Sequence, residues 1–423
     1  MMKISNNDKN NINNDRICKI FGNGNTYTLV NGTSSGIYAA LFAVTNEGDN
    51  ILVARNCTKS VSNAIELRHL NVNWMNPDII ANICIDGPID AKKIEYELEN
   101  SDVKYSAVVI TSPTIEGVLS DVHSISTVCR KYGVILIVDE SYGAHFSMDT
   151  RLPIGALPSG ADIVIHSLSG ILDGDNQTAL MHVRNTNINP EQIDRYCEMF
   201  DTKEQSPLLV ENINNTIEAL YENGKEKWND FFSMRMEFML RTGMLEKFHI
   251  LSQDELNDTS FEYLDPCKIV VSLENTAHNG VEIAERMRNE YNISPFYIMD
   301  RYIVFMTKYN TSMEDWDKLA QALVELDATL ISGINNAHES VNILLQSECS
   351  VFQALNSEWE EVDLMNAIGR VSADYITIRE SNIPIILPGE RFVTDIVDEI
   401  RGLITIGINI EGIHNGMIRI IKE

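Results

Sequence analysis

Residues 160–183 read GADIVIHSLSGILDGDNQTALMHV. The stretch opens with a short apolar run over 163–165, passes through the polar loop 167–177, and ends in a second apolar run over 178–183. Short apolar runs bounded by polar residues and glycine are typical of buried strands. The stretch therefore predicts two strands of one sheet, joined by a polar loop.

A second segment points to the same architecture. The apolar run 134–138 ends in DESYGAH at 139–145, and from residue 51 onward short apolar strands alternate with amphipathic helical patterns. Such alternation predicts a mostly parallel sheet with helices on both faces. Open α/β sheets present their sites at the ends of their strands, and Asp139 and the loop 167–177 both stand at such ends.

The second half of the chain changes pattern. Apolar residues recur at helical spacing over 209–221 and again over 226–247, which predicts two helices. Further on, strands over 268–273 and 302–307 flank a helix over 281–291. This mixture predicts a smaller α+β domain after the large α/β domain.

Composition limits the function classes. The chain has 423 residues, with 33 basic against 61 acidic side chains and a formal charge of −28. This balance argues against nucleic acid or an anionic membrane as a partner, because both need basic patches. The 7 cysteines include no C-x-x-C pair, and no apolar run approaches the length of a membrane span. A cytoplasmic protein is expected.

The chain divides into three predicted regions. Residues 1–16 are polar and asparagine-rich, and are predicted to be a disordered tail. The large domain is placed at 17–255 and the small C-terminal domain at 256–423, with the boundary in a polar stretch. Near the start of the large domain, VNGTSSG at 30–36 precedes a helix predicted over 37–44. A Gly/Ser/Thr loop there offers amides and hydroxyls to a phosphate, although such a loop is more often a simple helix cap.

Several of these segments together resemble the ornithine/lysine/arginine decarboxylase family. Its members read DEAHGAHF where this chain has DESYGAHF at 139–146, and STHK where it has SLSG at 167–170. Further similar segments follow in order: VNGTSSG at 30–36, DPCK at 265–268, GRVSA at 369–373 and IPIILPGER at 383–391. The resemblance runs from about residue 17 to the C-terminus. It implies the fold-type-I scaffold of pyridoxal-phosphate enzymes with a small C-terminal α+β domain.

The resemblance implies which cofactor-binding residues are retained. Thr33, Ser34 and Ser35 match the phosphate-binding segment of the family. Asp139 matches the carboxylate that keeps the pyridine nitrogen protonated, and Ser167 stands beside it at the next strand end. The cofactor expectation is therefore pyridoxal phosphate bound without a covalent bond, or no cofactor.

The catalytic positions differ from the family pattern. Gly170 stands where the family has its Schiff-base lysine. Thr58 replaces the histidine that stacks on the cofactor ring, and threonine has no π face. Tyr142 and Ser169 replace two further histidines. No confident catalytic residue follows from the sequence, and no metal site is predicted.

Three functions remain open at this point. The first is a catalytically degenerate homologue that acts as a subunit or regulator, as a homodimer or with an active decarboxylase-family paralogue. The second is a lysine-independent enzyme that uses pyridoxal or pyridoxamine phosphate on a basic amino acid, with His145 or His166 as its acid–base group. The third is a binding module that senses the cofactor or a basic amino acid. Lys59 is interpreted as a surface lysine at a helix start.

Overall fold

The computed structural model describes residues 16–80, 85–185, 187–253, 263–333 and 343–422. The predicted disordered tail lies outside the described residues, except for Arg16. The predicted boundary between residues 255 and 256 also lies outside them, so the domain division stays a prediction. In the part of the chain that is described, no helix is both long and apolar enough to cross a membrane.

A seven-stranded sheet forms the centre of the N-terminal half. The strands of this half are β1 (Asn25–Leu29), β2 (Asn50–Ala54), β3 (Asn71–Met75), β4 (Ile79–Ile80), β5 (Ile85–Asp86), β6 (Tyr105–Thr111), β7 (Ile135–Asp139), β8 (Ile163–Ser167) and β9 (Ala179–Val183). The spatial order is β1-β9-β8-β7-β6-β2-β3, while β4 pairs with β5 alone. Strands β3, β2, β6, β7 and β8 run parallel, and β9 is antiparallel to both of its neighbours. The predicted mostly parallel sheet is confirmed.

Helices cover both faces of this sheet. They are α1 (Gly32–Val44), α2 (Lys59–Arg68), α3 (Ala91–Asn100), α4 (Val122–Tyr132), α5 (Ala156–Ser159) and α6 (Pro190–Phe200). Helices α1, α2 and α6 share a core with one face, and α3, α4 and α5 share a core with the other. Within β7, Ile137 belongs to the first core and Leu136 and Val138 to the second. Burial on both faces explains why these strands read as continuous apolar runs.

The second half of the chain adds smaller sheets. Its strands are β10 (His249–Ile250), β11 (Lys268–Ser272), β12 (Tyr297–Ile298), β13 (Tyr302–Met306), β14 (Trp359–Asp363), β15 (Ile376–Ile378), β16 (Ile383–Ile386), β17 (Ile410–Glu411) and β18 (Met417–Ile421). Its helices are α7 (Pro207–Thr242), α8 (Gly280–Tyr291), α9 (Met313–Thr329), α10 (Val351–Leu355) and α11 (Thr394–Thr405), with a 3₁₀ turn at Leu364–Ala367. Strands β10-β11-β13-β12 form one antiparallel sheet, β16-β15-β17 a second, and β14-β18 a third.

Two helix predictions need correction. The helices predicted over 209–221 and 226–247 are one continuous helix, α7, of 36 residues. Residues 222–225, which include Gly224, separate the two predicted helices, but a glycine inside a helix costs only about 1 kcal/mol relative to alanine. Trp228 and Phe231 follow it and are fully buried in the core that α7 shares with β11 and β13. This packing outweighs the weak local signal.

Helix α1 also differs from its prediction. It begins at Gly32 rather than at residue 37, so the Gly/Ser/Thr segment is the first turn of the helix itself. These small residues carry no apolar periodicity, which is why the pattern placed the helix start too late. Glycine is suited to position 36 in this helix, because a Cβ there would lie only 2.7 Å from Leu29 Cδ1, which is too close for two carbon atoms.

Candidate functional site

The strand ends of the large sheet place the candidate site. Strands β7 and β8 are parallel and paired in register, with Asp139 opposite Ile165. Their carboxyl ends therefore bring Asp139 and Ser167 to one edge of the sheet, and the first turn of α1 supplies a third element. This is the edge where open α/β sheets bind ligands.

A cavity of about 320 Å³ lies at this edge. Its size is at the lower end of the usual range for small-molecule pockets. It is lined by residues of both halves of the chain: Thr33, Ser34, Thr58, Ser60, Asp139, Ser141, Tyr142, Ala144, His145, Ser167, Ser169, Gly170, Ile171, Leu172, Phe296, Met306, Glu380, Ser381 and Asn382. Of the residues that the sequence singled out for the site, Ser35 and His166 do not line this cavity, and the others do.

The α1 end of the cavity suits an anion. The Ser34 and Ser60 hydroxyl oxygens lie 2.7 Å apart, and Thr33 lines the cavity beside them. The N-terminus of α1 has no side-chain cap at Asn31. Amides of a first helical turn lack intrahelical partners and favour a phosphate.

Ser35 faces a different group. Its side chain is buried, and its hydroxyl donates to the Gly32 carbonyl at 2.8 Å and to Asp201 Oδ1 at 3.3 Å. The same carboxylate oxygen accepts from the amides of Val30 and Asn31. The structure therefore does not bring Ser35 to the cavity. Asp201 lies more than 160 residues away in sequence, so nothing near Ser35 pointed to this pairing.

Asp139 is the buried carboxylate of the cavity. Its Oδ1 accepts from the Ser141 amide at 3.1 Å and from the Ser141 hydroxyl. Burial raises the pKa of Asp139, and the two hydrogen bonds from Ser141 oppose this rise. A carboxylate in this position is suited to pair with a protonated ring nitrogen.

Gly170 has a backbone that side chains rarely adopt. Its φ is +82°, in the left-handed region that favours glycine. A Cβ built on it would lie 3.3 Å from Met306 Cε, because the end of β13 reaches the cavity there. The loop is closed by a hydrogen bond of 2.8 Å from the Gly174 amide to the Leu168 carbonyl. The backbone therefore favours glycine at residue 170, and a side chain there would need Met306 to move by a few tenths of an ångström.

The other positions that are predicted to differ from the family pattern also lie in the cavity wall. Ser169 and Ser167 hydroxyl oxygens lie 2.8 Å apart. Tyr142 packs edge-on against Phe296, with ring centroids 5.8 Å apart and an interplanar angle of 79°. Thr58 lines the cavity with a hydroxyl at the position where the resemblance implies a stacking ring. The cavity thus has hydroxyls and apolar rings at the positions where proton-transfer groups were expected from the resemblance.

A buried histidine–aspartate pair lies beside the cavity, and the sequence predicted a role for its histidine only. His145 Nε2 lies 2.8 Å from Asp265 Oδ1, and both side chains are fully buried. Because the carboxylate accepts, Nε2 carries the proton, and Nδ1 has no hydrogen-bond partner. His145 lines the cavity. Asp265 belongs to the DPCK segment at 265–268, which resembles the family but has no predicted role.

Cys267 lies close to this pair, within a spacing that could hold a metal ion. The thiolate is the form of cysteine that binds metals. Burial raises the pKa of Cys267 well above its usual value, and the nearby Asp265 raises it further. The hydrogen bond between histidine and aspartate already accounts for the geometry, so the group is better described as an oriented histidine.

His166 is excluded as an acid–base group by its contacts. Its Nε2 lies 2.7 Å from Glu140 Oε2, and its Nδ1 lies 3.1 Å from His182 Nε2. His182 in turn contacts the Thr26 hydroxyl at 2.8 Å. Burial lowers the pKa of His166 to about 3, so the ring is neutral at ordinary pH. Both ring nitrogens of His166 are engaged in the interior, away from the cavity.

Lys268 is a buried amine close to the cavity wall. It is 1% exposed, and its Nζ has no hydrogen-bond partner. The Nζ lies 4.5 Å from the centre of the Tyr142 ring and 4.2 Å from that of Phe296. Burial lowers the pKa of Lys268 to about 8, against the charges of Asp265 and Glu116. Two aromatic rings of the wall therefore enclose this amine.

Comparison with known proteins identifies the family. The family model described as "Orn/Lys/Arg decarboxylase, major domain" matches residues 8–284. The chain is 26% identical over 421 residues to the arginine decarboxylase of Bacillus subtilis. This alignment covers 97% of this chain and 84% of that protein. It is 28% identical over 424 residues to the arginine decarboxylase of Bacillus anthracis, with the same coverage.

Solved structures agree on the fold. The constitutive lysine decarboxylase of E. coli superposes with a TM-score of 0.79 at 16% identity, covering 97% of this chain and 72% of that one. The ureidoglycine–glyoxylate aminotransferase of Bacillus subtilis superposes with a TM-score of 0.60 at 13% identity. The superposition covers 77% of this chain and 86% of that one. The predicted fold-type-I scaffold is confirmed. By its sequence match over most of its length, the chain belongs to the Orn/Lys/Arg decarboxylase family.

Proposed function

We propose that this chain is a non-catalytic member of its family, which acts as a subunit or regulator of an active paralogue. The observation that carries the proposal is Gly170. It stands at the position of the family's Schiff-base lysine, has a φ of +82°, and is approached by Met306. A Schiff base requires a primary amine, and glycine has none.

The remaining cavity fits part of the family's cofactor. Thr33, Ser34 and the first turn of α1 suit the phosphate, and Asp139 suits the ring nitrogen. The covalent attachment point does not fit, because residue 170 carries no amine. Bound pyridoxal phosphate supplies an electron sink in enzymes that use it. Here the residues present are suited to bind and orient such a molecule without a covalent bond.

The proposal includes the assembly and location of the chain. We infer a homodimer or a heteromer with an active decarboxylase-family protein in the cytoplasm. Exposed apolar side chains on one side of α7 support an interface: Met236, Leu240 and, just beyond the helix, Met244 are 64%, 74% and 88% exposed. The formal charge of −28 argues against nucleic acid or an anionic membrane as the partner.

The experiment is a test for covalent attachment. The protein is incubated with pyridoxal phosphate, reduced with borohydride, and digested for peptide mapping. We expect a reversible absorbance change that dialysis removes and no stoichiometric label on any lysine. A single stoichiometric label on Lys59 or Lys268 would overturn the proposal, because either amine would then replace the missing one.

One observation favours a second candidate function, a lysine-independent enzyme. His145 is oriented by Asp265, and its Nδ1 is unpartnered in the wall of the cavity. A base held by a third group is the arrangement that acid–base catalysis requires. In this candidate function, Nδ1 accepts a proton from a bound ligand and later returns it.

The second candidate is tested by turnover. Carbon dioxide release is measured from arginine, lysine and ornithine with added pyridoxal phosphate, for wild type, His145→Gln and Asp265→Asn. Acid–base assistance is typically worth ~10²–10⁴-fold, so the His145→Gln variant should lose activity by that factor if this candidate is correct. An inactive wild type, or a His145→Gln variant as active as wild type, removes this candidate.

A further inference from the structure

A second cavity, of about 400 Å³, lies next to the one beside Gly170. It is formed by the segment 292–294 after α8, by the end of β13 and by the start of α9. The two cavities share Phe296 and Met306 in their walls. The residues that suit the cofactor line the first cavity, while the second has charged and apolar groups of its own. It is large enough to hold one small molecule.

Aromatic side chains form the apolar part of this wall. Phe305 and Trp316 line the cavity and are 4% and 2% exposed. The Trp316 ring also packs against Phe231 and Phe238 of α7, with ring centroids 5.6 and 5.2 Å apart. Because these contacts hold the ring in place, the apolar surface is formed before a ligand arrives. A preformed apolar surface favours a ligand with an apolar group that can be buried there.

Two opposite charges lie in the same wall. Asp315 and Lys318 are exposed and stand three residues apart on α9, a spacing at which side chains on a helix often pair. The Asp315 carboxylate accepts from the Ser312 hydroxyl at 2.6 Å, and among the described residues neither Asp315 nor Lys318 forms an ion pair. One negative and one positive group are therefore available to a ligand.

These charges favour a ligand that carries both signs. A simple cation would be repelled by Lys318, and a simple anion would be repelled by Asp315. An α-amino acid carries an ammonium group and a carboxylate close together, and its side chain points away from both. An apolar side chain suits the aromatic wall. A basic side chain would find no second carboxylate among the described residues that line the cavity.

We propose that this cavity binds an apolar α-amino acid, with its carboxylate at Lys318, its ammonium group at Asp315 and its side chain against Phe305 and Trp316. The site does not require a cofactor, and its occupancy does not depend on whether the chain is catalytic.

The position of the site suits an effector. Met306 lines both cavities, and its Cε lies 3.3 Å from a Cβ built on Gly170. An amino acid bound in the second cavity would therefore contact a side chain that also forms the wall of the first.

The test uses the full chain and L-phenylalanine as the probe, with binding followed by calorimetry. Each control compound lacks one feature: 3-phenylpropionate lacks the ammonium group, phenethylamine lacks the carboxylate, and L-alanine lacks the ring. L-Arginine tests whether a basic side chain is preferred. We expect L-phenylalanine to bind about tenfold or more tightly than L-alanine or L-arginine, and more tightly than the two singly charged compounds. Absence of phenylalanine binding, or equal or tighter binding of phenethylamine or L-arginine, would overturn the proposal.

Matched variants assign the binding to this cavity. Lys318→Met and Asp315→Asn each remove one charge from its wall, and neither residue lines the cavity beside Gly170. Lys104→Met and Asp102→Asn remove the same charges from exposed positions elsewhere. We expect each cavity variant to weaken phenylalanine binding by about threefold to tenfold, since the charges are partly exposed to water, and each control variant to bind as wild type does. Cavity variants that bind phenylalanine as tightly as their controls would refute the site.

Discussion

Replacing Gly170 by alanine tests the reasoning about the missing lysine most directly. An L-residue in the left-handed region costs about 1–2 kcal/mol, and the φ of Gly170 is +82°. The added Cβ would lie 3.3 Å from Met306 Cε, but this is the end of a flexible side chain that can move by a few tenths of an ångström. We therefore expect the backbone to dominate the loss in free energy of unfolding, at about 1–2 kcal/mol.

The assay is urea unfolding followed by tryptophan fluorescence, with Gly369→Ala as the matched control. Gly369 has the same φ of +82°, and a Cβ there meets nothing within 4 Å. Both variants carry the backbone cost, so the difference between them measures the contact with Met306. Gly170→Asn should lose less than Gly170→Ala, because asparagine tolerates the left-handed region better.

A Gly170→Ala variant as stable as wild type would refute this reasoning. Residue 170 would then accept an ordinary side chain without strain, and the loop would not exclude the family's lysine by its backbone. Adding Met306→Ala to Gly170→Ala should recover little stability, since the expected loss lies in the backbone. Recovery of most of the loss would instead assign it to the contact between the two side chains.

Three further predictions concern activity, assembly and pH. Gly170→Lys should not release carbon dioxide from arginine, lysine or ornithine with added pyridoxal phosphate, because Thr58, Tyr142 and Ser169 remain; turnover near ~1 per second would mean the site is otherwise intact. Light scattering at micromolar concentration should find a dimer, or a heteromer once an active paralogue is added, and a monomer in both conditions would contradict this. Asp86→Asn should stabilise the protein at pH 8 and have little effect at pH 4. Folding raises the pKa of Asp86 from 3.8 to about 7. Above that range the ionised carboxylate therefore destabilises the fold, by at most about 4 kcal/mol. An Asp86→Asn variant that is less stable than wild type at pH 8 would contradict this prediction.

The sequence by itself determined the architecture of the large domain. Alternating apolar strands and amphipathic helices depend on short-range periodicity, and burial of the strands on both faces makes that signal strong. The sequence also predicts that Gly170 stands at the position of the family's lysine and Thr58 at that of its stacking ring, since both predictions depend on residue identity within recognisable segments. The strand end at Asp139 predicted a site at the edge of the sheet where the cavity of about 320 Å³ lies.

Local signals misled where packing overrides propensity. The two helices predicted over 209–221 and 226–247 are one helix, α7, and the buried Trp228 and Phe231 hold it together. Small residues at the start of α1 hid its first turn, and with it the orientation of Ser35 toward Asp201. In each case the contact that determines the local structure involves residues outside the short stretch of sequence from which helix periodicity and capping are predicted.

Only the tertiary structure decided which distant groups meet. Met306 approaches Gly170, and Asp265 orients His145, across separations of more than a hundred residues. A cavity lined by Asp86 and Glu399 is likewise assembled from β5 and α11, at opposite ends of the chain. Such pairings are set by how sheets and helices pack on one another, and local sequence carries no record of them. The sequence thus predicted which residues line the candidate site, while the tertiary fold determines the partners that set the chemistry of those residues.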